Sequence, residues 1–377
     1  MALRERVELA PFTTLGVGGP ARYLVEAPDE ASVVEALEWA RGRGISVVLL
    51  GGGSNLLIAD RGLDALVLRV AIRGLSCDVA GESVVINAGA GESWDALVAL
   101  TVLRGWAGIE CLSGIPGDIG AAPIQNIGAY GQEVSETILR VRAVDRSSGA
   151  LVEIDGPSCG FGYRDSIFKR EAKDRYAITS VTFALRCGGA PAVRYAELAR
   201  KLADSAREPV PPSLAAVRDA VLELRRSKSM LLDPSDENGK SAGSFFMNPT
   251  LAADIFERVR ARIEAAGVLS AGESIPSFPA GEGRVKLSAA WLIERSGLRK
   301  GAGTGRVGLS TRHTLAIVNR GGATAAEVIA FAILVRSSVL ERFGVELVPE
   351  PSLLGFTPEE LGPLADSSAR LPSPDLV

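Results

Sequence analysis

Apolar positions along the chain alternate between two periods. Val33, Val34, Leu37 and Ala40 have helical spacing, opened by Pro28 and Asp29 and stopped by Gly42 and Gly44. The β-branched run Ile45 to Leu50 ends abruptly at Gly51, Gly52 and Gly53, which predicts a strand entering a glycine turn. A second strand is expected over Ala65 to Val70, a third over Val84 to Gly91, and a helix from about Ser93 to Arg104 with Leu97, Val98, Leu100 and Leu103 on one side. Three more strands are read at Arg140 to Asp145, Leu151 to Ile154 and Tyr176 to Leu185. The proline cluster of Glu208 to Ser213 can continue neither regular structure and marks a linker. Beyond it come a helix over Leu214 to Lys228, helices near Thr250 and Ser288, a strand in Thr314 to Asn319 and a long helix over Ala323 to Phe343. This organisation predicts a small α/β unit over residues 1–73, a β-rich unit over 74–207 and an α+β domain over 208–356. The tail 357–377, rich in Pro, Ser and Asp, is expected to be mobile.

One segment fits neither period. Ser113 to Gly131 reads SGIPGDIGAAPIQNIGAYG, nineteen residues with five glycines, two prolines and one charge. Missing Cβ atoms let a backbone approach a ligand closely. Pro116 and Pro123 stiffen the path, and the interleaved Ile115, Ile119, Ile124 and Ile127 need a packed interior that a flexible linker lacks. The segment reads as a wall against which something large and flat lies.

Composition narrows the function. With 47% hydrophobic and 23% charged residues, the 377-residue chain is that of an ordinary globular protein of two or three domains. A net charge of −4 argues against a nucleic-acid partner, which requires a basic face. The start has no secretory pattern and no uncharged stretch reaches about 18 residues, so a cytoplasmic protein with no membrane association is expected. The four cysteines are widely spaced and expected to be reduced. One histidine, His313, leaves little for a metal centre or a Ser-His-Asp hydrolase, and no metal is expected.

Four constellations carry candidate chemistry. Gly51 to Leu57, GGGSNLL, can form a nest of backbone N–H groups for phosphate oxygens, with Ser54 and Asn55 as further donors, or can be a tight turn only. In GFGYRDSIFK, Gly160 to Lys169, Arg164 sits among apolar anchors as a guanidinium held for a planar anion, or pairs on the surface with Asp165 or Asp145. SAGSFFMNP, Ser241 to Pro249, places the Ser244 hydroxyl after small residues and before two aromatics, in a dry position or as an N-cap or core hydroxyl. VPEP fixes Glu350 between prolines.

Taken in order, GGGSN, SGIPGDIGAAPIQNIGAYG, FGYRDSIFK, SAGSFFMNP, KLSAAWLIE and PEP resemble the bacterial UDP-N-acetylenolpyruvoylglucosamine reductase family, flavoenzymes that make UDP-N-acetylmuramate for peptidoglycan. The resemblance spans roughly Ala10 to Gly355, and YRDSIFK together with Tyr195 resembles the form with a tyrosine-bearing substrate loop. It implies a two-subdomain FAD-binding fold of the vanillyl-alcohol-oxidase-like (PCMH) type with a C-terminal α+β substrate domain, and a monomer. It implies non-covalent FAD on Gly51, Gly52, Gly53, Ser54, Asn55, Leu56, Ser113, Gly114, Ile115, Pro116, Gly117, Gly120, Ala122, Ile127, Gly128, Ala129 and Tyr130. NADPH is the implied reductant, and Arg164, Ser244 and Glu350 are the implied catalytic residues. Tyr195, Lys228, Asn248 and Lys286 are the implied contacts for the UDP-sugar. Ala290 stands where relatives commonly have glycine, and Ala121 and Ala122 where a serine often occurs. Two other readings compete: an oxygen-using oxidase of the same fold, whose only near tether for the flavin is Cys111, and a non-catalytic flavin or sugar-nucleotide binder.

Overall fold

The computed structural model describes residues 1–205, 211–281 and 283–365. Glu208 to Val210 of the predicted linker, and the tail beyond Ala365, lie outside the described residues. The chain forms two compact units. The first comprises Met1–Val7, Ala21–Gly53 and Leu63–Leu232, and the second Glu8–Pro20, Ser54–Gly62 and Asp233–Val377.

In the first unit, Leu63–Val70 lies between Pro20–Ala27 and Val47–Leu50 and is parallel to both. It is buried almost continuously rather than at alternate positions, as a strand covered on both faces must be. The helix Glu30–Arg41 begins where the Asp29 carboxylate accepts from the Ser32 N–H, and it buries Val33, Ala36, Leu37 and Ala40. An antiparallel sheet runs in the order Leu151–Asp155, Ile138–Asp145, Tyr176–Cys187, Ser83–Gly89 and Leu75–Ala80. Its last strand is wholly exposed, so it has no apolar alternation by which the sequence could announce it. Both sheets contribute to one core that runs from Val25 to Leu185. The Arg142 guanidinium spans both oxygens of Glu30 at 2.7 and 3.0 Å, and Thr179 donates to the same carboxylate, tying helix to sheet.

The helix Trp94–Leu103 buries Trp94, Leu97, Val98 and Thr101, an i, i+3, i+4, i+7 stripe. Leu103, expected on that side, lies 83% exposed because it falls outside the stripe. The helix Leu214–Ser227, expected to open the C-terminal domain, belongs to the first unit: Val217, Ala220 and Val221 pack on Cys111 and Leu198, and Arg218 pairs with Asp95 at 2.7 and 2.9 Å.

The second unit is organised around the helix Ala325–Phe343. Thr324 and Glu327 form its capping box, Gly344 (φ +70°) ends it, and Asp60 accepts from the Ala325 and Ala326 N–H groups at 2.7 and 2.9 Å. Helices Ala253–Ala265 and Ala289–Arg295 share its core, and Leu56–Ile58 pairs in parallel with Ser352–Leu354. The first part of the tail departs from expectation. Thr357 and Glu360 make a capping box for Pro358–Leu361, and Leu364 is fully buried in this core, so a polar composition hides two apolar anchors, Leu361 and Leu364. Among the described residues no helix is long and apolar enough to cross a membrane.

Leu364→Ala is expected to destabilise the second unit by about 2–4 kcal/mol, the cost of emptying a buried leucine site. Urea unfolding checks this, and an unchanged midpoint would contradict the burial of Leu364.

Candidate active site

In the first unit the glycine run is folded by contacts with its own scaffold. The Trp94 N–H donates to the Gly117 carbonyl at 3.0 Å, the Gly120 N–H to Ala90 at 2.8 Å, and the Gly114 N–H to the Asp95 carboxylate at 2.6 Å. A Cβ on Gly52 would lie 2.8 Å from Gly117 Cα, so the glycine turn and the glycine run meet backbone against backbone. Ile119, Ala122 and Ile127 bury their side chains in the core, which leaves only main chain to face outward at those positions. Ser113 is also turned inward: it is fully buried and its hydroxyl donates to the Glu110 carbonyl at 2.6 Å. Gly51, Gly52, Ile115, Pro116, Gly117, Gly120, Ala129 and Tyr130 are partly exposed along this surface, whereas Gly53, Gly114 and Gly128 are buried.

Arg164 sits on the same run. Its backbone is left-handed (φ +54°), and its Nη2 donates to the Gly128 carbonyl at 2.7 Å. A Cβ on Gly128 would lie 3.0 Å from the guanidinium and 3.1 Å from the Gln132 carbonyl, so a side chain there would press on the arginine's seat. The surface pairs weighed from sequence do not form: Asp165 is bonded to Arg170, and Asp145 to Arg175 at 2.9 Å. Asp145 is held well below the usual carboxylate range, first by the Ser147 hydroxyl and then by Arg175.

Two side chains that the sequence reading did not single out lie here. Arg225 projects from the helix Leu214–Ser227 toward the run, with its Nε 3.2 Å from where a Cβ on Gly114 would stand. Its Nη2 donates to the Met230 carbonyl at 2.7 Å, while the buried Nε has no hydrogen-bond partner among the described residues. Burial pushes its pKa down, and Tyr130 and Asp95 oppose that shift. A buried cation without an ion pair is costly unless an anion joins it. The helical period could have revealed it, since Arg218 and Arg225 lie a heptad apart beside the buried stripe of Leu214, Val217 and Val221. Asp118 is the second. Its oxygens lie 3.2 and 3.9 Å from Cβ positions on Gly52 and Gly51, and burial raises its pKa against the pull of Arg69 and Arg73.

Tyr195 and Lys228 also meet in this unit. Tyr130 and Tyr195 stack edge to face at 5.7 Å, the Lys228 ammonium lies 5.9 Å from the Tyr130 ring centroid, and its Nζ pairs with Glu197 at 2.7 Å. Burial lifts the Tyr130 phenol to about 12 and raises Tyr195 in the same way.

The second unit holds the other candidates. Phe245 and Phe246 are both buried and anchor the serine segment, leaving Ser244 before them partly exposed, with no hydrogen bond to its hydroxyl among the described residues. Ser244 is therefore neither a helix cap nor a fully enclosed core hydroxyl. The Glu350 N–H donates to the Phe245 carbonyl at 2.9 Å, and Phe246 bridges Pro349. Asn55 reaches the same strand, donating from Nδ2 to the Glu350 carbonyl at 3.3 Å and accepting from the Ser352 N–H at 3.0 Å. Ser54, Asn55 and Leu56 thus belong to the unit of Ser244 and Glu350, and Gly51 to Gly53 to that of Arg164. Asn248 Oδ1 accepts from the Ala289 N–H at 2.9 Å at the start of the helix Ala289–Arg295, which leaves its amide NH₂ for other partners. Lys286 lies in the strand Arg284–Leu287 opposite Thr250, one strand residue from the end of the serine motif.

A glycine cradle closed by main chain and an unbalanced buried cation beside it together suit a large ligand with apolar and anionic parts, as a flavin dinucleotide is. The comparisons agree. The FAD binding domain family matches residues 21–155, and the family described as UDP-N-acetylenolpyruvoylglucosamine reductase, C-terminal domain, matches residues 233–354. The reductase of that name from Thermobifida fusca is 48% identical over 94% of this chain and 98% of its own, and that from Nocardia farcinica is 50% identical over 94% of this chain and 90% of its own. A crystal structure of UDP-N-acetylenolpyruvylglucosamine reductase from Thermus caldophilus superposes with a TM-score of 0.62 at 26% identity, covering 94% of this chain and 100% of that one. The expected fold, an FAD-binding region followed by a C-terminal α+β domain, is the fold of this chain. Likeness of this extent, over 94% of the chain, leaves one assignment: the chain belongs to the UDP-N-acetylenolpyruvoylglucosamine reductase family.

Proposed function

We propose that this protein reduces UDP-N-acetyl-3-O-enolpyruvylglucosamine to UDP-N-acetylmuramate at the expense of NADPH, as a cytoplasmic monomer serving cell-wall precursor synthesis. The observation that carries this reading is the seat of Arg164 on the Gly128 carbonyl, which puts a charge-stabilising guanidinium on the glycine run itself. Bound FAD supplies a two-electron relay from the nicotinamide to the enolpyruvyl carbon C3. Its holders are the glycine turn and the run of Ser113 to Tyr130, with Arg225 as a counter-charge.

When C3 of the substrate gains hydride, negative charge develops at C2 and spreads into the adjoining carboxylate. Arg164, fixed by its own backbone and by Gly128, stabilises that charge, and Glu350 supports it. Ser244 delivers the proton to C2. An alcohol is a weak acid in water, but a carbanionic carbon is a strong base, and a hydroxyl with no competing hydrogen bond can be aimed at it. Lys228, Tyr195, Asn248 and Lys286 serve the nucleotide diphosphate and uridine. The partnership of Lys228 with Glu197 and Tyr130 supports this, because it keeps the ammonium at a defined position before any ligand arrives.

Cys111 argues for a flavin held without a covalent bond. It is fully buried, its thiol donates to the Ala192 carbonyl at 3.2 Å, and burial lifts its pKa to about 12, so it offers no thiolate for a tether.

Purified protein is expected to be yellow, to bleach with NADPH and to regain its absorbance anaerobically on adding the enolpyruvyl sugar nucleotide; a colourless protein that takes up no FAD would refute the reading. Ser244→Ala is expected to leave flavin reduction by NADPH intact while slowing reoxidation by about 10²–10⁴-fold in stopped flow. Equal rates in both half-reactions would remove Ser244 from the proton-delivery role.

Asp118 adds a pH dependence. Its folded pKa is raised, so the protonated form is favoured, and its contribution is full below the ordinary carboxylate pKa and lost as pH rises through the folded value. Phosphate beside an ionised Asp118 adds to that loss, whereas Arg69 and Arg73 offset it and Glu92 adds to it. FAD affinity of the apoprotein is therefore expected to fall as pH rises above the ordinary carboxylate range and through the raised Asp118 value, and Asp118→Asn to flatten the profile by tightening binding at the upper end. Fluorescence titration checks this, and identical slopes for the two proteins would show that Asp118 does not face the phosphates.

A further inference from the structure

One residue outside every assigned site stands where the candidate segments of the second unit converge. Thr14 lies in the loop Thr13 to Val17, which is fixed on both sides. Leu15 and Val17 are buried, and the Asn319 amide donates to the Leu15 carbonyl at 3.0 Å. The Thr14 hydroxyl donates to the Ser241 carbonyl at 2.6 Å, and the Ser54 carbonyl lies 3.4 Å from the same oxygen. Ser241 opens the serine segment three residues before Ser244, and Ser54 belongs to the glycine-serine turn. A hydroxyl carries one proton, so it serves one of these carbonyls at a time. The 2.6 Å contact is the bond that is made, and the 3.4 Å contact is the alternative.

From Ser54 the connection closes into a ring. Asn55, the next residue, is bonded to Glu350 and Ser352, and the Glu350 N–H is bonded to the Phe245 carbonyl, directly after Ser244. Among the bonds that hold the serine segment, which also include the Ser241 bridge to Val318 and the Phe245 N–H to the Leu315 carbonyl at 2.7 Å, the one from Thr14 to Ser241 and the one from Glu350 to Phe245 lead back to Ser54 and Asn55. The one Thr14 proton therefore has one acceptor on the serine segment and a second, more distant one on the turn.

We infer that Thr14 is a positioning residue that couples occupancy of the dinucleotide turn to the placement of Ser244. The inference rests on the reading of the turn as part of the FAD site and of Ser244 as a substrate-side group. Coupling between two sites is reciprocal: if bound cofactor improves the sugar-nucleotide site, the sugar nucleotide tightens the cofactor by the same factor. The chain needs two alternative arrangements for this, and the two acceptors of one hydroxyl provide them.

The test is the dissociation constant of FAD from the apoprotein, titrated by fluorescence without NADPH, with and without saturating enolpyruvyl sugar nucleotide. In the unsubstituted protein the sugar nucleotide is expected to tighten FAD on the order of tenfold. Thr14→Val keeps the shape and removes the hydroxyl, and should bring that ratio close to one, while Thr14→Ser restores it. A structural role alone would shift both constants together and leave the ratio unchanged. No coupling in the unsubstituted protein, or an undiminished ratio in Thr14→Val, would overturn the inference. Should Thr14→Val not fold, Thr14→Ala, which also lacks the hydroxyl, is read in the same way. Ser244→Ala separates the two readings, because it should keep the ratio while losing rapid reoxidation. Rapid reoxidation in Ser244→Ala would sink the proton-delivery role and leave the Thr14 ratio to be judged by itself.

Discussion

The close approach of main chain to main chain at Gly52 and Gly117 is the constraint on which the cofactor side of this protein depends. With a Cβ on Gly52 only 2.8 Å from Gly117 Cα, any side chain there would push the turn off the run. The glycines therefore serve two purposes. Some are needed because the protein packs against itself, as at Gly52, others leave room for a side chain, as Gly128 does for Arg164, and the surface that results is a bare backbone wall. The isoleucines between them turn inward into the core, so the wall is rigid although it carries almost no side chains.

Charge on this wall is arranged against the overall acidity of the chain. Arg164 and Arg225 both approach the run, and Arg164 lowers the pKa of Arg225, as like charges do. Two neighbouring acids are paired with other cations, Asp95 with Arg218 and Asp165 with Arg170, while Asp118, the acid within the run, is kept toward its neutral form by burial. Local positive charge of this kind suits reaction centres and phosphates that gain or carry negative charge, and a net charge of −4 conceals it. In the second unit the logic is hydrogen-bonded rather than ionic. The Thr14 hydroxyl donates to the Ser241 carbonyl, the Asn55 side-chain amide to the Glu350 carbonyl and the Glu350 N–H to the Phe245 carbonyl, while the Ser244 hydroxyl makes no hydrogen bond among the described residues.

Much of this was legible from residue order. Strands and helices with strong periodicity, such as Glu30–Arg41, Tyr176–Cys187 and Ala325–Phe343, fall close to where the pattern puts them, because one-sided burial writes a period into the sequence. The edge strand Leu75–Ala80 and the short strands at Leu56–Ile58 and Ser352–Leu354 escaped notice. The first has no buried face, and the others are too short to show a period and are paired across almost three hundred residues. The order of the motifs was enough to indicate the family, since each motif is a local string.

What the sequence settled by itself was the family, through a set of local strings: a glycine-rich run, an arginine among apolar anchors, a serine set before two aromatics and a carboxylate between prolines. Only tertiary structure decided which groups keep company. It assigned the helix Leu214–Ser227 to the first unit, brought Arg225 to the run and set Thr14 between Ser54 and Ser241. It also buried Leu364 from a segment of disordered composition. The physical reason is that local spacing records which face of an element is buried, whereas the partner that buries it comes from elsewhere in the chain and leaves no mark in the neighbouring residues.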